Sequence, residues 1–497
     1  MSAIARPDRV GPFPFPKSDP AKRVKTFAEV QLPYTADQAA EEAKRCLQCG
    51  TPVCIDACPV QMDVRGMCEA VSRGDMATAY SRIRDTNALI GVTARCCPQM
   101  QGLCEDACVM RWDGQPVSIG MIQRFVADWE QNESNQPDPA SADKDSGKHI
   151  AIVGGGPSGL AAASLLRRYG HAVTIYEELD SLGGTAWYGI PSYHLPRDVL
   201  TYEVDRIRQQ GVEIRTGMKV GRDITISQLL SGGSDAVLVT VGPKDPIKLD
   251  TPGSKLPGVY DCYEFLAGVF GHTVEDYLKH PSFNLGSEVY VIGGGDTALD
   301  GARTARRLTG SEVTIVYRRT ENEMPADPIM VQEAREEGIG LEFLADPSEF
   351  IGENGKLSAM RLATIELGPP DQTGRRSPIP VEGKDYLVKC DSALIAVGRG
   401  PNSFLQKIEG LRMGRRNSIA VDDHFKTSMP GVFAAGDVVT GETLVVKAMG
   451  SGREAAQRVH EYVMNLEDKH VSLYEKYFVE RSFEVMQSGK ETGPPPD

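Results

Sequence analysis

The chain has 497 residues, with 54 basic against 68 acidic side chains and a net charge of -14. That length exceeds what one hydrophobic core organises and implies about three domains. The acidic balance, without any long basic block, argues against nucleic acid as a partner, and no run approaches the ~18 to 20 apolar residues of a membrane-spanning helix.

The N-terminal stretch "MSAIARPDRVGPFPFPKSDPAKRVK" lacks the apolar centre of a secretion signal, so the expectation is a soluble cytoplasmic protein with no membrane partner. Nine of the 11 cysteines then fall between Cys46 and Cys108. In a reducing compartment such clustering indicates metal binding rather than a disulfide framework. The first run, "RCLQCGTPVCIDACPVQ", carries Cys46, Cys49, Cys54 and Cys58 and closes in Cys-Pro; the second, "RCCPQMQGLCEDACV", carries Cys96, Cys97, Cys104 and Cys108. Without histidines at ligand spacing these runs read as iron-sulfur sites, since ferredoxin-like runs end in Cys-Pro and send the last cysteine to a different cluster. A pair of structural zinc ions, each on four cysteines, is the alternative. Cys68, on a predicted helix in "VRGMCEAVSRGDMATAY", reads as a small buried hydrophobe. The helical module is assigned to 1–127, and the polar stretch at 128–147 to an exposed linker.

Next comes "HIAIVGGGPSGLAAASLLRRYGHAVTIYEE", a buried strand, a glycine turn, a helix and a second strand. Gly154 makes the tight turn, Gly156 lets backbone N–H groups approach a diphosphate, and Gly159 lets the helix pack closely on the sheet. Glu177 ends the second strand where an acidic residue would bond a ribose. A second unit, "SEVYVIGGGDTALDGARTARRLTGSEVTIVYRR", carries Gly293, Gly295, Asp296, Thr297 and Ala298. Its second strand runs into Arg318 and Arg319, which would attract the 2'-phosphate that a carboxylate repels. NADP(H) is therefore expected there, with NAD(H) as the weaker alternative.

Two such units imply an α/β chain with two doubly wound nucleotide-binding domains behind the cysteine module. The stretches "GVFAAGDVV", with Gly436 and Asp437, and "DSALIAVGRGPNS", with Gly398, resemble signatures of the two-dinucleotide-binding-domain flavoproteins. That resemblance implies FAD at the first turn, Asp437 on its ribityl chain, and the nicotinamide cofactor at the second turn. It also implies a discontinuous FAD domain at 148–282 and 395–468 with an NAD(P) domain at 283–394 inserted, then a tail at 469–497. Cys262 and Cys390 have no cysteine neighbour, so the redox cysteine pair of a disulfide reductase is missing from the sequence. Electrons must leave by another route.

The runs "AKRCLQCGTPVCIDACPV" and "CPQMQGLCEDACV", with "GIPSYHLPRDVL", "GGGDTALD" and "LVVKAMGSGREAA", resemble the small subunit of NADPH-dependent glutamate synthase, and are similar to the N-terminal half of dihydropyrimidine dehydrogenase. The resemblance implies two 4Fe-4S clusters. One falls to Cys46, Cys49, Cys54 and Cys108, the other to Cys58, Cys97, Cys104 and the side chain of Gln123, with Cys96 able to exchange for Cys97. It sets Gly184 beside the flavin, and the segment Thr443, Leu444 and Val445, at a helix start, against the flavin pyrimidine edge. It implies no side-chain acid, base or nucleophile, because the cofactors carry the hydride chemistry. It further implies a hetero-oligomer, in which a larger catalytic subunit or a ferredoxin-type acceptor takes the electrons. The alternatives are the same module in another complex, such as a ferredoxin-linked transhydrogenase, a 2-oxoacid or aldehyde oxidoreductase or a pyrimidine reductase, and a non-catalytic redox sensor.

Overall fold

A computed structural model describes residues 11–113, 115–134, 145–272, 274–279, 281–370, 375–400 and 402–466. The tail at 469–497 and the middle of the 128–147 stretch lie outside them. Among the described residues no helix is long and apolar enough to cross a membrane.

The cysteine module is helical because its sequence alternates short amphipathic runs with strong caps. Thr35 and Gln38 form a reciprocal capping box on Ala36–Ala43, and Asp63 caps Val64–Ser72 through the Gly66 N–H at 2.9 Å. The module's last helix, Ile119–Glu133, buries Ile119, Ile122 and Val126 against the neighbouring helices. It continues six residues into the segment expected to be a linker, since Val126 and the buried Glu130 keep the apolar face going; Glu130 also accepts from Tyr202 and pairs with Arg206 at 3.3 Å.

The first nucleotide unit is a five-stranded parallel sheet in the order Val432–Ala434, Ala236–Val239, His149–Val153, Ala172–Tyr176, Glu213–Arg215. Its central strands are apolar on both faces because helices cover both. The second unit repeats the plan in the order Val259–Asp261, Ser392–Ile395, Glu288–Ile292, Glu312–Tyr317, Gly340–Phe343, again all parallel. This differs from the expected boundary at 283. The strand Val259–Asp261 joins the second sheet, and the helix Cys262–Phe270 buries Phe265, Leu266 and Val269 in the second unit's core. The two connections between units lie side by side, with Arg399 opposite Pro246 and Gly400 opposite Asp245.

The module and the first unit share one hydrophobic core, which runs from Met67 and Ile122 through Ile152 and Leu160 to Met449. Each fully buried aliphatic side chain there contributes roughly 1.5 to 3 kcal/mol, so the module is fixed to the unit rather than tethered to it. Glu203 reinforces the joint by accepting from Arg84 at 2.8 Å and from the Gly91 N–H at 2.6 Å.

Candidate cofactor and cluster sites

The first glycine turn is forced by geometry. Gly154 has φ +108°, and a Cβ there would lie 2.9 Å from the Thr240 backbone; one at Gly159 would lie 2.1 Å from the Gly154 carbonyl. Pro157 then opens the helix Pro157–Arg168 with no side-chain cap, so its first N–H groups face outward for an anion. Gly184, at φ +53°, is set against this turn, with the Gly156 Cα 3.1 Å from where its Cβ would be. The buried Glu177 accepts from the Gly155 N–H at 2.8 Å and the Leu179 N–H at 2.9 Å; burial raises its pKa. It therefore braces the turn.

Two buried oxygens at the far side of the cradle lack partners. Asp437 comes directly after Gly436, which has φ +76° and packs on Ser158, and the Asp437 Oδ1 and Ser158 Oγ atoms are both buried and without a hydrogen bond among the described residues. Burial, then the Glu442 charge, pushes the Asp437 carboxyl up to about 7. Unpaired buried polar atoms cost roughly 1 to 3 kcal/mol each, so this pair fits a hydroxyl-bearing ligand such as a ribityl chain. Nothing in the sequence marks Ser158 for this role. The helix Val445–Val463 starts beside them, with Leu444 at its cap position and no side-chain cap, leaving its first N–H groups open.

The second turn repeats the backbone solution. Gly293 has φ +149°, and a Cβ there would meet the Ala396 carbonyl at 2.2 Å. Gly295 caps the helix Asp296–Thr309, Thr297 lies in its first turn, and Ala298 is buried. Asp296 accepts from the Asp327 N–H at 2.9 Å, and burial pushes it up to about 6. The two arginines diverge. Arg319 is buried and donates from Nε to the Arg376 carbonyl at 2.8 Å, whereas Arg318 is exposed and makes no hydrogen bond or ion pair among the described residues.

The cysteines separate into two groups. Cys46, Cys49, Cys54 and Cys108 line one hollow together with Cys68, and the charges of the first four register on one another. A hydrogen bond from the Cys68 thiol, the largest influence, lowers Cys46 to about 7, so the buried Cys68 is a donor as well as an apolar filler. Burial, then the charge of Cys108, pushes Cys54 up to about 12. A single ion at roughly 2.3 Å from each sulfur would need no hollow between them, whereas a cluster does. Cys58, Cys97 and Cys104 form the second group: burial raises all three, Cys97 and Cys104 feel the charge of Cys58, and the N–H groups of Met62, Val60 and Gln61 turn toward the Cys58 sulfur. Cys96 instead faces Arg95, Asp300 and Arg197, and burial pushes it up to about 12. Gln123 is buried, and its amide nitrogen donates to the Ile90 carbonyl at 2.9 Å and the Thr93 Oγ at 2.7 Å. A carbonyl can only accept, so this pairing fixes the amide orientation and leaves Oε1 as the end available to a metal. Glu105, which no sequence motif points to, is buried beside Cys97 and Cys104 and pushed up to about 7 by burial, while accepting from the Gly120 N–H at 2.9 Å.

Cys262 and Cys390 are buried in separate places, their thiols directed at the carbonyls of Thr297 and Ser392 at 3.3 Å each.

Two parallel sheets with glycine turns, joined to a cysteine-rich helical module, define an NAD(P)H-dependent FAD/iron-sulfur oxidoreductase. Comparison with known proteins agrees: residues 148–452 match the pyridine nucleotide-disulphide oxidoreductase family, and residues 23–135 match dihydropyrimidine dehydrogenase domain II, 4Fe-4S cluster. The chain is 35% identical to the glutamate synthase [NADPH] small chain of Azospirillum brasilense, over 90% of this chain and 93% of that protein. It is 36% identical to the NADP(+)-dependent formate dehydrogenase subunit beta of Moorella thermoacetica, over 83% of this chain and 60% of that protein. Among solved structures, FprA of Mycobacterium tuberculosis in complex with NADPH shares the fold at a TM-score of 0.53 and 20% identity, covering 70% of this chain and 87% of that one. The chain belongs to the glutamate synthase small-chain family, and its function is that of an electron-transfer flavoprotein with an iron-sulfur domain.

Proposed function

We propose that the chain takes reducing equivalents from NADPH at the second glycine turn and delivers them through FAD and two 4Fe-4S clusters to a partner catalytic subunit. When bound, FAD accepts a hydride from NADPH and releases electrons singly to iron-sulfur centres. The uncapped first-turn N–H groups of the helix that Pro157 opens hold its diphosphate, the Asp437 and Ser158 oxygens without a hydrogen bond among the described residues accept from its ribityl hydroxyls, and the uncapped start of Val445–Val463 offers partial positive charge to its pyrimidine edge. Arg318 pairs with the 2'-phosphate of NADPH.

The observation that carries this reading is the division of the cysteines. Cys58 and Cys104, both buried, and the half-buried Cys97 suit one cluster together with the Gln123 carbonyl; the half-buried Cys46, Cys49 and Cys54 suit another together with the buried Cys108. Cys58 precedes Pro59, whose carbonyl lies 2.5 Å from where a Cβ on Gly450 would sit, in the same helix whose start faces the flavin cradle. The site that includes Cys58 thus adjoins the flavin side, which leaves the site of Cys46, Cys49, Cys54 and Cys108 for the partner.

The test is anaerobic iron and sulfide analysis with EPR of the dithionite-reduced protein. Cys97→Ser should lose about half the iron and one of two signals, and Cys96→Ser neither. A single signal in the unaltered protein, with iron for one cluster, would refute the two-cluster reading. A relation to the formate dehydrogenase subunit at a similar identity favours one alternative, the same electron-input unit serving a different catalytic subunit. The polypeptide that co-purifies decides between them.

A further inference from the structure

The helix Val445–Val463 is squeezed between two surfaces by two glycines. A Cβ on Gly452 would lie 2.2 Å from the Ser158 carbonyl in the flavin turn, and one on Gly450 would lie 2.5 Å from the Pro59 carbonyl beside Cys58. The next residue, Arg453, is 6% exposed, yet makes no hydrogen bond or ion pair among the described residues. A guanidinium this little exposed is costly to hold unless negative charge lies near it.

The candidates for that charge are few. Arg453 faces Arg168, Tyr169, Asp85 and Cys58. Arg168 already holds Asp85, donating to its carbonyl at 2.6 Å with a carboxylate oxygen at 3.7 Å. Arg168 is itself a cation and burial raises the pKa of the Tyr169 phenol, so neither supplies negative charge. What remains is Cys58 and whatever Cys58 ligates.

We propose that Arg453 is a positioning and tuning residue for the cluster held by Cys58, Cys97, Cys104 and Gln123, raising its reduction potential so that it accepts electrons from the flavin side. This rests on the ligand set proposed above. Reduction adds one electron, supplied by NADPH through the flavin, and makes the site one charge more negative without a proton. A fixed cation in a water-poor surrounding stabilises that added charge more than it stabilises the oxidised site. The neutral Gln123 ligand acts in the same direction, since it brings no charge of its own.

The experiment is an anaerobic, EPR-monitored redox titration of the full-length holoprotein, unaltered and as Arg453→Met, Arg453→Lys and Gln123→Glu. Gln123→Glu adds negative charge at the ligand itself, so the signal it moves to lower potential identifies the cluster in question. Arg453→Met is expected to lower the same signal by at least tenfold in the one-electron equilibrium, which is 59 mV, with iron and flavin content unchanged. Arg453→Lys is expected to retain most of the original value. An unmoved midpoint in Arg453→Met, or a shift confined to the flavin, overturns the proposal. If Arg453→Met is recovered without its iron, Arg453→Lys decides: a held midpoint supports the proposal and a tenfold displacement overturns it. If Gln123→Glu moves no cluster signal, the ligand set fails and the proposal with it, a failure told apart by which variant is silent.

Discussion

The two glycine turns share a backbone and differ in charge. In each, the first glycine takes positive φ because its Cβ would strike the chain just beyond a neighbouring parallel strand, Thr240 in the first unit and Ala396 in the second. In each, the helix after the turn starts without a side-chain cap, leaving N–H groups for a phosphate. They part at the end of the second strand. Glu177 folds its carboxylate back under the first turn, while in the second the Tyr317 ring lies 2.5 Å from where a Cβ on Gly294 would be and the chain then presents Arg318 to solvent. One scaffold therefore makes two turns of different charge, and under the proposed function the residue after the strand selects what the anion in each glycine cradle is attached to.

The sharpest way to break that comparison is to remove the group that commits the first turn to a flavin. Asp437→Ala deletes a buried acceptor that the ribityl chain is expected to satisfy, at a cost of about 3 kcal/mol for a charged hydrogen bond. Flavin retention should fall by on the order of a hundredfold, read as FAD released on gel filtration, with NADPH binding at the second turn preserved. The mirror experiment is Arg318→Ala. Losing one charge-assisted pair with a 2'-phosphate costs roughly 1.5 to 3 kcal/mol, so KM for NADPH should rise about 10- to 100-fold in dye-reduction assays, while KM for NADH stays put. Equal effects on both would show that Arg318 does not read the 2'-phosphate.

Much of this is legible in the chain because the turns are local. A strand, three glycines, a helix and a charged strand end lie within about thirty residues, and spacing alone carries the argument. The cysteine grouping is not legible from spacing. Cys108 lies beside Cys46, Cys49 and Cys54 only because the helices between them pack, and a family resemblance is what supplies the grouping in advance. Ser158, Glu105 and Arg453 are silent in the sequence for the same reason. Nothing in "GSGREAA" says that one glycine meets Pro59, the other meets Ser158, and the arginine between module and flavin unit makes no hydrogen bond or ion pair among the described residues. Boundaries shift where burial outweighs composition: Glu130 sits in a stretch polar enough to read as a linker, yet it is buried against Tyr202 and Arg206.

A pH titration sharpens the difference between the turns further. In the flavin-free protein the Asp437 carboxyl sits at about 7, raised from 3.8 chiefly by burial. Its contribution to stability is therefore full at the acid end, where it is protonated folded or unfolded, and is lost as pH rises toward about 7. Flavin binding should run the other way. A ribityl hydroxyl donates best to the carboxylate, so binding must expel a proton below about pH 7, and FAD affinity should climb about tenfold per pH unit and then level off. Flavin fluorescence quenching from about pH 5.5 to about 8 would show this slope, and Asp437→Asn should flatten it. A slope that survives in the variant would place the titrating group elsewhere.

The smallest effect separates two neighbouring cations of the same residue type. Arg319 is buried, and its Nε is committed to the Arg376 carbonyl at 2.8 Å, which ties the second strand's end to the strand Arg376–Pro380, itself paired antiparallel with Lys356–Pro370. Removing it should act on that tie: Arg319→Ala is expected to lower thermal stability by about 1 kcal/mol while shifting KM for NADPH by less than about threefold. Arg318→Ala, on an exposed side chain with no hydrogen bond or ion pair among the described residues, should leave thermal stability within about 0.5 kcal/mol and carry the cofactor effect alone. Paired melting curves and NADPH saturation curves for the two variants read both axes at once. If the two effects came out exchanged, the cation that reads the phosphate would be the buried one, and the second turn would recognise its cofactor from inside the sheet edge rather than from solvent.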